Sequence, residues 1–282
     1  MKILIAGQGK SGTTALFCAL KQTLPPKYIH LFEPRSYAAA DQNRLVLAKV
    51  QINEFAKIND FDDFDKKIFI VRDPRDNLVS RLLYAIYNDE FINDDEKVRF
   101  FVEHIEQKRK DPLSVSMVEL LQVLNKLSGK DIFGSFILRH QLGSNFDPRA
   151  RGYFTYKYEH FIAGQYTGLE KYLGFNLSFD GMVDAAYSRV ARTKGSGDWR
   201  NWFTEHDVRY FRPVYHEYLV RYEYDLAWKL NPEPKIRAEH STEYVMSLVR
   251  QARASHTSGS RVLPLRIIAA VGSSLKRRFA RS

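Results

Sequence analysis

The sequence predicts an α/β fold in which a parallel sheet is flanked by helices. Short apolar runs alternate along the chain with segments whose apolar residues recur at helical spacing. The runs lack regular polar alternation, which is typical of strands that are covered by helices on both faces. A chain of 282 residues that is 44% hydrophobic can also build one large core.

Five of the apolar runs are predicted strands. They lie at 1–6, 28–33, 45–50, 67–71 and 153–158. Because strands alternate with helical segments, the strands are expected to be parallel and joined by right-handed crossovers.

Helices are predicted in the segments between and after these strands. One begins at Thr13, and another at Pro74, where proline is favoured because the first helical turn needs no N–H donor. Longer helical patterns cover 94–142, 161–173 and 205–230. The first of these predicts a helical insertion before the fifth strand.

The basic character of the chain is concentrated at its end. Asn231-Pro232-Glu233-Pro234 predicts a main domain at 1–231 and a basic C-terminal extension at 232–282. No acidic residue follows Glu243, whereas eight Lys or Arg residues do, out of a net charge of +10. The body before the extension is therefore close to neutral, and no nucleic acid is expected as a partner.

The segment 265–282 predicts a basic amphipathic helix. Its apolar residues fall within an arc of about 120° when plotted at helical spacing. Such a tail can lie on an anionic membrane, dock on the body or on a partner, or remain a disordered arm. The single cysteine and the lack of a secretory signal or a membrane-spanning run favour a cytoplasmic protein, with peripheral contact to the inner face of a membrane as an addition.

A glycine-rich loop follows the first strand. Gly7-Gln8-Gly9-Lys10-Ser11-Gly12 leads into the helix at Thr13, a P-loop-like arrangement that aims backbone N–H groups at an anion. A Walker A loop ends in Gly-Lys-Ser/Thr, but here the lysine precedes the last glycine. A tight connection without a ligand is the alternative interpretation of this loop taken alone.

Two further segments carry residues that suit phosphate. The fourth strand ends in Arg72-Asp73-Pro74-Arg75-Asp76, and Ser80 follows in the next helix. Arg72 at the carboxyl end of a parallel strand is expected above the same crevice as the loop, with a surface ion pair to Asp76 as the alternative. The third segment, 192–204, combines cations, glycines and tryptophans ahead of a helix.

Together these segments resemble the sulfotransferases that use 3′-phosphoadenosine-5′-phosphosulfate (PAPS). GQGKSGTT is similar to that family's 5′-phosphosulfate loop, IVRDPRDNLVS to its 3′-phosphate motif, and RTKGSGDWRNWFT to its closing motif. The motif style is nearest to the carbohydrate-type members. The resemblance implies PAPS as the sulfuryl donor, 3′-phosphoadenosine-5′-phosphate (PAP) as the product, and no metal.

The resemblance also implies roles for individual residues. Lys10 would stabilise the departing 5′-phosphate, Arg72 and Ser80 would bind the 3′-phosphate, and Tyr158, in TYKYEHF, would line the adenine. The residues implied to bind the donor are Gly9, Lys10, Ser11, Gly12, Thr13, Thr14, Arg72, Ser80, Tyr158, Arg192, Lys194 and Gly195.

The candidate base is Glu33. Small-molecule members place a histidine two residues after a lysine at the end of the third strand, but here Lys49 is followed by Gln51, whose amide cannot take a proton. Glu33 ends the second strand and can deprotonate a hydroxyl, with an ion pair to Arg35 as the alternative interpretation. Arg35, Lys49 and Gln51 are the predicted substrate-binding residues.

Because carbohydrate members of the family often use a glutamate base, the resemblance favours a glycan or glycolipid acceptor. Three other functions stay open: sulfation of a small alcohol or phenol, a P-loop kinase that turns over ATP with magnesium, and a protein that binds the nucleotide without catalysis.

Overall fold

The computed structural model describes residues 1–37, 45–53, 56–87, 89–181, 187 and 195–257. The predicted site residues Arg192 and Lys194, and the predicted amphipathic segment 265–282, lie outside these ranges.

A parallel sheet, five strands wide in the described part of the chain, carries the fold. Its strands are β1 (Lys2–Gly7), β2 (Ile29–Phe32), β3 (Val46–Gln51), β4 (Lys66–Val71) and β5 (Phe154–Lys157). The predicted α/β class is confirmed, and each predicted strand is found to within one residue at either end.

The strand order β2-β3-β1-β4-β5 determines where a ligand can bind. The chain fills one side of β1 with β2 and β3, then crosses to the other side for β4 and β5. In open parallel sheets, ligands bind beyond the carboxyl ends of the strands at the point where the order reverses. That point is the end of β1, where the glycine loop begins.

Helices follow the strands and fill the segment between β4 and β5. They are α1 (Thr13–Thr23), α2 (Pro74–Tyr84), α3 (Asp89–Ile92), α4 (Asp95–Lys110), α5 (Met117–Ser128), α6 (Ile132–Asn145), α7 (Tyr158–Ile162), α8 (Thr167–Leu173), α9 (Trp199–Trp202), α10 (Glu205–Arg221) and α11 (Thr242–Thr257). The predicted helical insertion is therefore present as α3 to α6.

Both faces of the sheet are buried, as the unalternating apolar strands predict. On one face, Ile5 and Ile68 pack with residues of α1 and α8, including Phe17 and Leu169. On the other face, alternate residues of the same strands pack with Tyr218 of α10 and with aromatic residues of the connecting segments. The sheet is thus a rigid platform for its carboxyl-end loops.

Two predicted helices are wrong in their extent, and three described helices, α3, α9 and α11, were not predicted. The segment 161–173 is two helices, because Gly164 takes a φ of 72° between α7 and α8. The helix predicted to reach 230 ends at Arg221, and Glu223 has a φ of 53° just beyond it. In the predicted extension, α11 was not anticipated.

The chain divides into two compact units. The first comprises Met1–Arg81, Arg139–Trp199 and Phe211–Lys229, and it contains the sheet. The second comprises Leu82–Leu138, Arg200–Tyr210 and, as far as the structure describes the chain, 230–257. The predicted boundary between 231 and 232 stays a prediction.

Polar contacts of one buried and one exposed side chain link elements within the second unit, through Asp207 and Arg253. Asp207 accepts the N–H groups of Met117 and Val118 at 3.0 Å each and so binds the beginning of α5. Arg253 of α11 donates to the carbonyl of Ile92 at 2.7 Å and pairs with Asp95. Within the described ranges, no helix has the length and apolar character needed to cross a bilayer.

Candidate functional site

The glycine loop joins β1 to α1 in a tight turn. The φ angles of Lys10 and Gly12 are 65° and 94°, so both lie in the left-handed region. The N–H and hydroxyl of Ser11 donate to the carbonyl of Gln8 at 3.2 and 2.7 Å. The Ser11 N–H is therefore used inside the turn, and the role of Ser11 in binding the donor stays a prediction.

The start of α1 supplies the remaining backbone donors. The hydrogen bond from Leu16 N to Gly12 O, at 3.1 Å, closes the first helical turn. The N–H groups of Thr13 and Thr14 precede it and thus have no acceptor within the helix. With the helix dipole behind them, they suit a phosphate or another anion.

Tyr158 packs directly against this loop. It begins α7 after β5, and a side chain at position 12 would overlap its ring. Glycine is therefore required at position 12 both for its positive φ and for this close contact. The Arg72 guanidinium lies 4.6 Å from the centre of the same ring, within the range of a cation–π contact.

Arg72 joins the glycine loop to the segment that follows residue 194. Its guanidinium donates to the carbonyl of Lys10 at 3.0 Å and to the carbonyl of Gly195 at 3.5 Å. Arg72 is buried, and its Nε has no hydrogen-bond partner among the described residues. A buried guanidinium N–H of this kind is a fitting donor for an anion in the crevice.

Asp73 and the first turn of α2, which it precedes, add four buried polar residues that were not predicted as site residues. Asp73 and Arg75 form an ion pair at 2.7 Å, and the Arg75 guanidinium lies 4.2 Å from the Trp199 ring. Asp76 accepts the N–H groups of Gly197 at 2.5 Å and Trp199 at 2.9 Å. The side-chain amide of Asn77 donates to the carbonyl of Gly9 at 2.9 Å.

The alternative interpretation of Arg72, a surface ion pair with Asp76, is therefore wrong. Both side chains are buried and bind the backbone of neighbouring loops. Burial raises the pKa of Asp76 from its ordinary value to about 6, although Arg72 and two backbone N–H groups oppose that shift. The sequence signal that was missed is the run of charged residues directly after a buried strand. Residues at the end of such a strand lie close to the sheet, so these charged side chains are not expected to be at the surface.

Glu33 lies at the carboxyl ends of β2 and β3 with Lys49 and Gln51. One carboxylate oxygen, Oε1, accepts from the Lys49 ammonium and from the Gln51 amide, the latter at 2.5 Å. Lys49 is 1% exposed and also lies over the Phe32 ring at 4.4 Å. The pairing of Glu33 with Arg35 is not what the structure shows, since the partner is Lys49 and Arg35 is exposed.

The structure thus brings most predicted residues to one edge of the sheet. Gln51 also approaches the glycine loop, since a side chain at Gly9 would lie 3.2 Å from its carbonyl oxygen. Ser80 is buried on α2, two turns after Arg72. Arg192 and Lys194 are outside the described residues.

Solved protein structures include likenesses to this chain. No protein-family model matches the chain, and no curated protein matches it. The crystal structure of mouse sulfotransferase SULT7A1 complexed with PAP matches 90% of this chain and 88% of its own, at 17% sequence identity and a TM-score of 0.48. We therefore base the assignment of function on this chain's own residues.

The arrangement has the elements of an anion-binding and proton-transfer site. Backbone donors at the start of α1 and the Arg72 guanidinium can hold negative charge. A carboxylate with one oxygen engaged by an ammonium and an amide can accept a proton. Within the described residues, no group of three or more His, Cys, Asp or Glu side chains is arranged to hold a metal ion.

Proposed function

We propose that the protein is a PAPS-dependent sulfotransferase, which moves a sulfuryl group from PAPS to a hydroxyl group of an acceptor. The observation that carries the proposal is the pair of hydrogen bonds made by Arg72 to Lys10 and Gly195. Each of these residues belongs to a different one of the three segments that resemble the donor site. Their meeting at one guanidinium supports a common crevice for a nucleotide with phosphates on both sides of its ribose.

The residues at the crevice fit such a donor. The N–H groups at Thr13 and Thr14, with Gly9, Lys10, Ser11 and Gly12 shaping the loop, would hold the 5′-phosphate. Arg72, with its unpartnered Nε, would hold the 3′-phosphate together with Ser80, Gly195 and the neighbouring Arg192 and Lys194. Tyr158 would contribute its ring beside the adenine.

The donor supplies an activated sulfuryl group, bonded through oxygen to its 5′-phosphate. In the proposed transfer, the acceptor oxygen forms a bond to sulfur as the bond from sulfur to the bridging phosphate oxygen breaks. Glu33 takes the proton of the acceptor hydroxyl. The electron pair of the broken bond stays on the phosphate oxygen, whose negative charge Lys10 stabilises.

A glycan or glycolipid acceptor is part of the proposal. It is supported by the carboxylate at Glu33 and by an amide, Gln51, where small-molecule members carry a histidine. Lys49 is too buried to contact the acceptor directly. Its ion pair with Glu33 instead makes it a neighbour that acts on the proposed general base. Arg35 is exposed and would contact the acceptor, and an anionic membrane surface is the proposed contact of the C-terminal segment.

Ligand binding separates the proposed donor from a kinase substrate. We expect PAP to raise the melting temperature of the purified full-length protein, because a ligand that binds only the folded state stabilises it. ATP with magnesium should raise it much less. A larger shift with ATP and magnesium than with PAP would contradict the proposal and favour the kinase.

Turnover tests the two proposed catalytic residues. With PAPS and a panel of glycan, glycolipid and phenolic acceptors, Lys10→Ala should lower kcat by about 100-fold or more, the typical effect of removing one preorganised charge-stabilising donor. Glu33→Gln should lower kcat by about 100-fold or more, because general base catalysis is lost. Mass spectrometry of the acceptors would give both the rate and the site of sulfation.

Matched controls come from exposed residues of α4. Lys97→Ala and Glu103→Gln make the same chemical changes at side chains that are 36% and 65% exposed. Their activity should equal that of the wild type. Full turnover in Lys10→Ala or Glu33→Gln would remove that residue from its proposed role.

A further inference from the structure

The first turn of α2 binds both loops of the proposed donor site. Asn77 and Asp76 are consecutive residues, yet their side chains bind different loops. The Asn77 amide donates to the carbonyl of Gly9, while the Asp76 carboxylate accepts from Gly197 and Trp199. This single turn is therefore the common support of two segments that are far apart in sequence.

On the side of the glycine loop, the contacts hold Lys10 by its backbone. Asn77 binds the carbonyl that precedes Lys10, and Arg72 binds the carbonyl of Lys10 itself. Lys10 has a φ of 65°, a conformation that non-glycine residues seldom adopt and that the surroundings must maintain. The two hydrogen bonds lie on either side of this residue and can do so.

The second loop is the segment 195–199, called the closing segment below. The two carboxylate oxygens of Asp76 accept hydrogen bonds from two different backbone N–H groups of this segment. One accepts the N–H of Gly197 and the other the N–H of Trp199. Asp76 is fully buried, so these bonds form away from water. They hold the chain at two points directly after Gly195, whose carbonyl oxygen accepts a hydrogen bond from the Arg72 guanidinium.

We propose that Asn77 and Asp76 are positioning residues of the sulfuryl-transfer site. Asn77 sets the position of Lys10, and Asp76 sets the position of the segment after residue 194. This rests on the proposed function. The two residues are expected to affect different steps. Asn77 affects stabilisation of the departing phosphate, because it positions Lys10. Asp76 affects binding of the 3′-phosphate, because it positions the closing segment.

Hydrogen–deuterium exchange tests the positioning without any donor. Asn77→Ala should speed amide exchange in peptides that cover 9–14, and Asp76→Asn should speed it in peptides that cover 197–199. Asparagine retains only one acceptor oxygen for the two N–H groups, and Asp76→Ala, which retains none, should have the larger effect.

The second unit offers matched controls. Asp207, like Asp76, is a buried carboxylate that accepts backbone N–H groups. Asn125 accepts the Phe133 N–H at 2.8 Å and so matches Asn77 as a side-chain amide bonded to backbone. Asp207→Asn and Asn125→Ala should leave exchange at 9–14 and 197–199 unchanged.

Kinetics then separates positioning from a general loss of stability. Asn77→Ala should lower kcat about tenfold, with the Kd of PAP changed less than about threefold, because Lys10 acts on charge that develops during transfer. Asp76→Asn should raise the Kd of PAP and the KM of PAPS about tenfold, with a smaller change in kcat. Asn125→Ala and Asp207→Asn should change neither kcat nor the Kd of PAP, even where they lower the melting temperature as much as the α2 variants do.

Two results would overturn the assignment. One is unchanged exchange at 9–14 and 197–199 in the α2 variants, and the other is an equal loss of kcat in Asn77→Ala and Asn125→Ala. If Asp76→Asn lacks the circular dichroism spectrum of the wild type, Asp76→Glu, which keeps both oxygens but displaces them, replaces it with the same expected rise in Kd. Failure of the wild type to bind PAP would instead contradict the proposed function, while the exchange result would still decide the positioning.

Discussion

At the scale of single residues, Asp76 and His140 have pKa values displaced in opposite directions. Burial raises the pKa of Asp76 to about 6, with Arg72 lowering it and Asp73 raising it further. Burial lowers the pKa of His140 to about 4, and the positive charge of Arg81 adds to that effect. The His140 ring packs against Tyr215 and Tyr218, at centroid distances of 4.6 and 5.2 Å, and so has little access to water.

Asp76 makes the folded protein less stable as the pH rises. Between its ordinary pKa of 3.8 and the folded value of about 6, the folded state holds a proton that the unfolded chain has lost. The contribution is therefore present below pH 3.8 and is lost as the pH rises through 6. Relative to the wild type, the free energy of unfolding of Asp76→Asn should rise by about 2 kcal/mol from pH 4 to pH 6.5, measured by urea unfolding.

His140 has the opposite effect. Below the ordinary histidine pKa of 6.5, His140 binds a proton in the unfolded chain, whereas in the folded protein it binds one only near pH 4. Its contribution is present above pH 6.5 and is lost as the pH falls. Relative to the wild type, His140→Gln should lose about 3 kcal/mol of unfolding free energy from pH 4 to pH 7.

The two variants check each other. Because the two contributions oppose one another in the wild type, the double variant should keep nearly the wild-type pH dependence, apart from a constant offset. Parallel slopes in the two single variants would contradict at least one of the two assigned pKa shifts.

At the scale of elements, the junction of the glycine loop and α1 depends on the contact with α7. Gly12→Ala should lower the free energy of unfolding by about 2–4 kcal/mol, because alanine is strained at a φ of 94° and its methyl group overlaps the Tyr158 ring. In a Tyr158→Ala background only the backbone strain remains, and the cost should fall to about 1 kcal/mol. Equal costs in both backgrounds would show that the ring plays no part.

The elements that the sequence predicts well are those set by local pattern. The strands are unalternating apolar runs because both faces are buried, and the helix starts at Thr13 and Pro74 carry their own signals. The helix ends were missed where one residue takes a positive φ: Gly164 lies inside a continuous helical pattern, and Glu223 is not a residue type that marks a helix end.

The candidate site was predictable only in part, for a related reason. Arg72, Lys10 and Glu33 lie in recognisable motifs, but the order of the strands in the sheet determines which side chains they contact. Glu33 meets Lys49 because β2 pairs with β3, with Phe32 directly opposite Lys49. From the sequence alone, Glu33 was the candidate base with an ion pair to Arg35, two residues away, as the alternative, and the contact with Lys49 was not predicted.

At the scale of the whole molecule, charge is divided between the chain's body and its end. The segment 258–282 carries six Lys or Arg residues and no Asp or Glu, whereas the predicted donor-binding residues all lie between 9 and 195. Each basic residue near an anionic bilayer contributes about 1 kcal/mol, and the attraction falls steeply with salt. Membrane contact and donor binding should therefore be separable.

A chain ending at Thr257 tests this separation. We expect the full chain to sediment with phosphatidylserine-containing vesicles at low salt, to be released at high salt, and to leave pure phosphatidylcholine vesicles unbound. The shortened chain should stay in the supernatant in every case, because it has lost six positive charges and the apolar residues between 265 and 282. The melting-temperature shift with PAP should be the same for both chains. If the shortened chain binds phosphatidylserine vesicles as strongly as the full chain, the contact lies on the body, and the charge at the end of the chain serves another purpose.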